Sequence, residues 1–310
     1  SIWSELDLKF GNRREEFYEP LEHRNVFHGV EYCWFDWSPE SDSKMPTVLL
    51  AHATGFHARC WDEVARYLPN HRIIAIDFRG HGRSGRPEGP YLWEHFGNDL
   101  IALIEYLNLD EILGVGHSMG GHSVAYAASH IEREIFSSLL LIDPAIQNKK
   151  PTETKRDPKS TPFVAKRRNL WSSPDELVER FQARTPHSLW DPKVLADYAR
   201  YGLLPNPLAT AGNSDDLFEL ACPPEIEASV VLDPAAAWLG DSLKEILSPV
   251  RIIRAAPPPV GYKGGFLYSP TSADLASAFV NAEDVFLPEF THFIPMQDPK
   301  LVAQHIFEMS

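Results

Sequence analysis

A serine in the first half of the chain has the surroundings of a catalytic nucleophile. The five residues Gly116 to Gly120 read Gly-His-Ser-Met-Gly and match the pattern G-x-S-x-G. The apolar run 111–115 before them predicts a buried strand, and the small residues 121–128 after them predict a helix. A tight turn between such elements exposes the hydroxyl of Ser118 and points the free N–H groups of the helix at its target. We therefore predict that Ser118 attacks a carbonyl group.

A serine hydroxyl needs a base to accept its proton, and histidine is the usual base near neutral pH. Of the 13 histidines, His292 has the best position. It follows the apolar run 285–287 and precedes the last predicted helix. Loops at the carboxyl edge of a parallel sheet face the ligand site, so we predict that His292 is the base.

A carboxylate must orient that histidine, and the expected chain order is serine, acid, histidine. Asp143 directly follows the apolar run 139–142. No carboxylate follows the later run 250–254 before Asp274, which lies in a helical pattern. We predict that Asp143 is the acid, with Asp274 and Glu289 as the alternatives.

Attack on a carbonyl creates an oxyanion, which two preorganised N–H donors must stabilise. The first predicted donor is the backbone N–H of Met119. The second lies in the loop 52–57, where Ala53 and Gly55 allow the backbone to approach a substrate closely. We predict the N–H of Thr54, with Ala53 as the alternative.

Short apolar runs alternate with amphipathic stretches around these residues. The predicted strands cover 47–51, 72–76, 112–115 and 139–142 and follow a hairpin at 26–37. The predicted helices between them cover 60–68, 95–107 and 120–131. Such alternation predicts an α/β protein with a mostly parallel central sheet flanked by helices.

The alternation stops after residue 145 and resumes near residue 248. We predict a core domain of residues 1–145 and 248–310, and a helical cap, or lid, inserted at 146–247. The cap sequence predicts two clear helices and shows no strand-like apolar run of the kind found in the core, and Ser173 with Glu176 predicts a capping box at the first helix. The remaining predicted elements are a strand at 250–254, a helix near 271–280, a strand at 284–287 and a final helix at 298–308.

Aromatic residues in the cap predict an apolar acyl pocket, although such side chains can also simply pack the lid onto the core. His117 cannot fold back onto the neighbouring hydroxyl and is expected to be structural or to border the substrate. The expected substrate-binding residues are Phe56, His117, Trp171, Trp190 and Trp238.

The composition argues against several classes of partner and cofactor. A formal net charge of −14 makes nucleic acid an unlikely ligand, because phosphate binding needs clustered Lys and Arg. The basic run 166–168 is explained by a solvated helix end, and segment 77–84 matches no phosphate-binding pattern. The three cysteines lack metal-ligand spacing, so we expect no metal and no cofactor. No apolar run approaches the length of a membrane span, and residues 1–7 show no secretory leader, so we expect a cytoplasmic location.

The combined motifs resemble those of the α/β-hydrolase superfamily over essentially the whole chain. The matching parts are the turn 116–120, the segment 77–84 and Thr291-His292-Phe293. The loop 52–57 reads His-Ala-Thr-Gly-Phe-His and resembles a subgroup with H-A-x-G-F at this place. That subgroup contains bacterial esterase-like proteins, a yeast peroxisomal lipase and fungal acyl-CoA hydrolases of the mycophenolic acid type. The resemblance implies the α/β-hydrolase fold and an acid at the position of Asp143.

These residues predict a serine hydrolase that cleaves small-molecule carboxylic esters of small to medium apolar acyl groups through an acyl-enzyme. A thioesterase acting on acyl-CoA, a lactonase or a C–C bond hydrolase would use the same residues. The acidic composition and the lack of basic patches argue against bulky polyanionic substrates such as CoA esters. A non-catalytic ligand-binding protein on this fold is a more remote alternative, and the sequence does not indicate an oligomeric state.

Overall fold

A mostly parallel sheet of eight strands carries the residues singled out above. The computed structural model describes residues 18–37, 44–151, 163–213, 215–231 and 234–310. The strands in these ranges are β1 (Leu21–Phe27), β2 (Val30–Trp37), β3 (Thr47–Ala51), β4 (Ile73–Ile76), β5 (Ile112–His117), β6 (Phe136–Ile142), β7 (Leu170–Trp171), β8 (Leu203–Pro205), β9 (Phe218–Leu220), β10 (Val250–Arg254) and β11 (Ala282–Phe286). The large sheet has the order β1-β2-β4-β3-β5-β6-β10-β11, with β2 antiparallel to both neighbours and the other pairs parallel.

Helices cover both faces of this sheet. The α-helices in the described ranges are α1 (Asp62–Arg66), α2 (Trp93–Leu107), α3 (Met119–His130), α4 (Pro174–Gln182), α5 (Pro192–Tyr201), α6 (Pro224–Val231), α7 (Ile294–Gln297) and α8 (Pro299–Met309). Helices α2 and α3 pack on one face, whereas α1 and α8 pack on the other. None of the helices in these ranges has both the length and the apolarity needed to cross a bilayer.

The central strands are mostly apolar because both faces of the sheet are covered. In β6, Leu139 and Leu141 face α2 and α3, whereas Leu140 and Ile142 face α1 and α8. All four are fully buried. The fold prediction of a mostly parallel sheet flanked by helices is confirmed.

The cap differs from its sequence-based prediction. It contains α4 and α5 as predicted, but also α6 and a three-stranded antiparallel sheet of order β7-β9-β8. This small sheet was not predicted, since the sequence of 146–247 has no apolar run like those of the core strands. Strands of two or three residues are too short to give a periodic pattern. Residues 1–17 of the predicted core and 152–162 of the predicted cap lie outside the described residues.

At the start of α4, the first cap helix, only one of the two hydrogen bonds of a capping box forms. The Ser173 hydroxyl accepts a hydrogen bond from the backbone N–H of Glu176 at 3.1 Å. The Glu176 carboxylate, however, accepts from the backbone N–H and hydroxyl of Ser172 at 2.8 and 2.6 Å. The predicted reciprocal capping box is therefore wrong, because the carboxylate bonds one residue earlier than expected.

The prediction of a helix near 271–280 is also wrong. The structure has a short 3₁₀ turn at Leu275–Ala278. Small polar side chains make local bonds here, such as that from the Ser277 hydroxyl to the Asp274 carbonyl at 2.7 Å. Side chains of this kind compete with helical backbone bonding.

Several histidines are buried by this fold and are uncharged at neutral pH. Burial lowers the pKa of His57, His71 and His81 to about 4 and that of His117 to about 3, and it also lowers the pKa of His52. An unfolded histidine binds its proton near pH 6.5, so each of these groups makes the folded state less stable as the pH falls below that value.

Replacing one buried histidine reduces this pH dependence. His71 lies away from the candidate site, where its Nε2 is 2.9 Å from the Ser310 hydroxyl. Between pH 7 and pH 5, the free energy of unfolding of His71→Gln should fall by about 1–2 kcal/mol less than that of the wild type. Urea denaturation at the two pH values measures this difference. The exposed His130→Gln serves as the control, and equal pH dependence in wild type and His71→Gln would contradict the assignment.

Candidate active site

The predicted nucleophile lies in a strained turn between β5 and α3. Ser118 has φ 56° and ψ −119°, in a region that side chains rarely occupy. Its backbone N–H donates to the Ile142 carbonyl at 3.1 Å, which ties the turn to the end of β6. A side chain at Gly120 would place its Cβ 2.1 Å from the Ala51 carbonyl oxygen, and one at Gly116 would lie 2.3 Å from the Gly120 oxygen. Only glycine fits at these two positions.

The structure brings the three predicted catalytic side chains into one hydrogen-bonded chain. His292 Nδ1 lies 2.5 Å from Asp143 Oδ2, and His292 Nε2 lies 2.8 Å from Ser118 Oγ. Nδ1–H donates to the carboxylate, which leaves Nε2 to accept the Ser118 proton. This is the arrangement in which a serine transfers its proton to an oriented histidine.

Asp143 is held as a carboxylate although it is fully buried. Its Oδ1 accepts from the Ala255 backbone N–H at 2.9 Å and from the Ser269 hydroxyl at 2.5 Å. The Thr271 hydroxyl lies 3.3 Å from the same oxygen. Burial by itself would raise the pKa of Asp143, but the hydrogen bond and charge of His292, with the bonds from Ser269 and Ala255, lower it below its usual value. Asp143 therefore stays ionised.

The two alternative acids lie elsewhere. Asp274 precedes the 3₁₀ turn at Leu275–Ala278 and is exposed, as is Glu289. The hydrogen bonds of the His292 ring within the described residues go to Asp143 and Ser118.

The ring of His117 is bonded to the backbone of the predicted base, His292. Its Nε2–H donates to the His292 carbonyl at 2.7 Å. The side chain, which was expected to be structural or to border the substrate, is 1% exposed and does not line the cavity beside Ser118. Burial lowers its pKa to about 3, which keeps the ring neutral beside the base.

The predicted oxyanion donors border the same cavity as Ser118. Met119 begins α3, where the first N–H groups have no helical acceptor. Thr54 and Ala53, the two predicted positions of the second donor, both line the cavity that Ser118 also lines. Gly55 has φ +85°, which a larger residue would adopt only with strain.

A buried histidine fixes this loop. His52 Nε2 accepts from the Phe78 backbone N–H at 3.1 Å, so the proton of the ring is on Nδ1. Nδ1–H donates to the Ala53 carbonyl at 2.8 Å. His52 therefore ties the loop after β3 to the loop after β4.

The segment 77–84 folds as a rigid turn. Asp77 accepts backbone N–H bonds from Ala58 at 2.7 Å and Arg83 at 2.9 Å. A side chain at Gly82 would lie 2.2 Å from the Asp77 carboxyl carbon. The Asp77 carboxylate thus binds two backbone N–H groups that could otherwise bind an anion.

A cavity of about 580 Å³ opens beside Ser118 and His292. Phe56 lines it as expected. Trp190 is buried behind it, with its ring 5.7 Å from that of Phe56. Trp171 borders a neighbouring cavity, and Trp238 is 37% exposed beside Lys150. None of these three tryptophans, which were expected to bind the substrate, lines the cavity beside Ser118 itself.

Much of the cavity wall comes from residues that the sequence did not identify. The segment 262–270 follows β10 and contributes several of them, including Tyr262, Phe266, Leu267 and Tyr268. Glycines at 261, 264 and 265 gave a loop signal, but nothing in the pattern showed that the loop folds over Ser118. Ser269, which binds Asp143, belongs to the same segment.

Comparison with known proteins agrees with this geometry. The model of the alpha/beta hydrolase family matches residues 48–305. The chain belongs to this family. The bifunctional esterase/perhydrolase DCH of Acinetobacter calcoaceticus is 30% identical over 116 residues, which are 37% of this chain and 41% of that protein. The 3-oxoadipate enol-lactonase 2 of Acinetobacter baylyi is 31% identical over 101 residues, 32% of this chain and 38% of that protein.

Solved structures share the fold over nearly the full length. The thioesterase domain from the curacin biosynthetic pathway superposes with a TM-score of 0.69 at 20% identity, covering 93% of this chain and 99% of that domain. By sequence, however, the chain spans only about two fifths of the curated relatives named above. The similarity establishes the family and the fold.

The reactivity of Ser118 should depend on Asp143. In Asp143→Asn the amide favours the wrong tautomer of His292, and we expect labelling of Ser118 by a fluorophosphonate probe to slow by about 10⁴-fold. Mass spectrometry of the labelled peptide over time measures the rate. The exposed Asp274→Asn is the matched control and should label at the wild-type rate. A slow Asp274→Asn and a normal Asp143→Asn would reverse the assignment of the acid.

Proposed function

We propose that this chain is a serine hydrolase that cleaves carboxylic esters of small to medium apolar acyl groups through an acyl-enzyme. The observation that carries the proposal is the position of His292, which joins the Ser118 hydroxyl to the Asp143 carboxylate by two short hydrogen bonds. A serine in such a chain is activated for attack on a carbonyl.

The proposed reaction has two halves. Ser118 Oγ attacks the carbonyl carbon as His292 Nε2 accepts the proton, and the carbonyl oxygen becomes an oxyanion between the N–H groups of Met119 and Thr54. The tetrahedral species collapses as His292 returns the proton to the leaving alcohol, which leaves an acyl-serine. Water then attacks with His292 again as base, releasing the acid and restoring Ser118. Asp143 stabilises the imidazolium in both halves.

The cavity supports the proposed substrate class. Its volume of about 580 Å³ lies in the range of small-molecule sites. Apolar side chains form much of its wall: Phe56, Phe163, Val231, Phe266, Leu267 and Phe293. Such a surface favours an apolar acyl chain of limited length.

Thioesters and lactones present the same carbonyl to the same residues. A relative named as an enol-lactonase matches about a third of the chain, and a structure named as a thioesterase shares the fold. A test of the proposal must therefore include both classes.

A panel of p-nitrophenyl esters from acetate to laurate tests the proposed activity, with a lactone and a simple thioester assayed beside it. We expect the highest kcat/KM at short to medium chain length, because a longer chain would exceed the cavity. Ser118→Ala should lose on the order of 10⁶-fold in kcat. Ser137→Ala, at an exposed position of β6, is the control.

Turnover of the lactone or the thioester alone would overturn the ester proposal while keeping Ser118 as the nucleophile. Tight binding of an ester without turnover, in protein whose Ser118 does not react with a fluorophosphonate, would instead support a non-catalytic receptor.

A further inference from the structure

A second cavity of about 460 Å³ adjoins the one beside Ser118. The two share part of their walls, including Gly55 and Phe56 of the loop that carries the proposed oxyanion donor. A substrate bound at Ser118 can therefore extend into the second cavity. Four arginines line this second cavity, which we call the arginine chamber: Arg167, Arg168, Arg180 and Arg184.

Two of these arginines form ion pairs with carboxylates of the protein. Arg167 donates to both oxygens of Glu227 at 2.9 and 3.1 Å. Arg168 pairs with Glu176 at 2.7 Å and donates to the Leu170 carbonyl at 2.7 Å. Their charges are thus largely neutralised.

The positive charges of the other two arginines, Arg180 and Arg184, are not neutralised by a close carboxylate. Arg180 lies 4.0 Å from Glu176, which Arg168 already holds at 2.7 Å. The Arg184 guanidinium has no hydrogen-bond or ion-pair partner within the described residues. The two are four residues apart at the end of α4, where the helix dipole favours positive charge.

The other described residues that line the chamber do little to offset the positive charge of Arg180 and Arg184. Glu227 is the carboxylate in its described wall, and Arg167 already neutralises it. Burial lowers the pKa of both His57 and His187 to about 4, so these rings are neutral at pH 7. The chamber is therefore locally positive in a chain whose formal net charge is −14.

We propose that the arginine chamber binds an anionic group, a carboxylate or a phosphate, on the substrate whose carbonyl is attacked by Ser118. The proposal rests on the hydrolase function proposed above and adds a charged recognition element to it. Guanidinium groups bind carboxylate and phosphate through paired N–H donors, and a cleft of one charge concentrates ligands of the other. The basic run 166–168, interpreted from sequence as a solvated helix end, supplies part of this wall.

Matched substrate pairs test the proposal and locate the anion. The p-nitrophenyl monoester of glutaric acid against p-nitrophenyl valerate places a carboxylate on the acyl group. The butyrate ester of 4-hydroxybenzoate against that of 4-hydroxybenzamide places it on the leaving group. Butyryl-CoA against S-butyryl-N-acetylcysteamine supplies phosphates. In at least one pair, kcat/KM of the anionic member should exceed that of its neutral partner about tenfold, chiefly through KM.

The double variant Arg180→Gln/Arg184→Gln should bring that ratio to within about twofold of one. Arg133→Gln, an exposed arginine outside the chamber, should keep the wild-type ratio. The two single variants repeat the comparison if the double variant does not fold. Hydrolysis of the neutral members with no anionic preference in any pair would overturn the chamber proposal and leave the hydrolase proposal intact. Failure to hydrolyse any member would overturn both.

Discussion

The structure depends on a close approach of three backbones at the turn that carries Ser118. The end of strand β3 contacts Gly120 so closely that a Cβ atom at Gly120 would lie 2.1 Å from the carbonyl oxygen of Ala51. The neighbouring parallel strands are in register here, with Ala51 opposite Gly116 and His117 opposite Ile142. The next residues of all three strands therefore leave the sheet at the same edge. That edge receives the loop of Thr54, the nucleophile and Asp143, although they are distant in sequence.

A second constraint is the charge of a fully buried carboxylate. An ionised group that is buried away from water needs hydrogen bonds from the protein to replace those that water would make. Strand β10 provides one, because its register places Ile253 opposite Ile142 and so brings the Ala255 N–H to Asp143. Ser269 provides another from the segment that also forms the cavity wall. One short segment therefore contributes both to the wall of the cavity beside Ser118 and to the environment of Asp143, which binds His292.

The sequence predicted the parts of the fold and site that depend on local patterns. Buried parallel strands are continuous apolar runs, and the turn at Ser118 needs glycine at two fixed positions, so both are visible in the residues. The cap sheet was missed because its strands have two or three residues. Trp190 was expected in the acyl pocket but lines neither cavity, because composition cannot distinguish an aromatic side chain that lines a cavity from one packed behind it. Arg180 and Arg184 look like ordinary surface charges until the fold places them beside a cavity that joins the candidate site.

The central claim is that Ser118, His292 and Asp143 act together at the cavity with the N–H groups of Met119 and Thr54. The most direct test is a crystal structure of the protein after reaction with a small alkyl phosphonate, whose tetrahedral phosphorus mimics the state formed by attack. The account predicts phosphorus bonded to Ser118 Oγ, with the phosphoryl oxygen within hydrogen-bonding distance of both backbone nitrogens. Phosphorus on another residue, or an oxygen turned away from Met119 and Thr54, would contradict it.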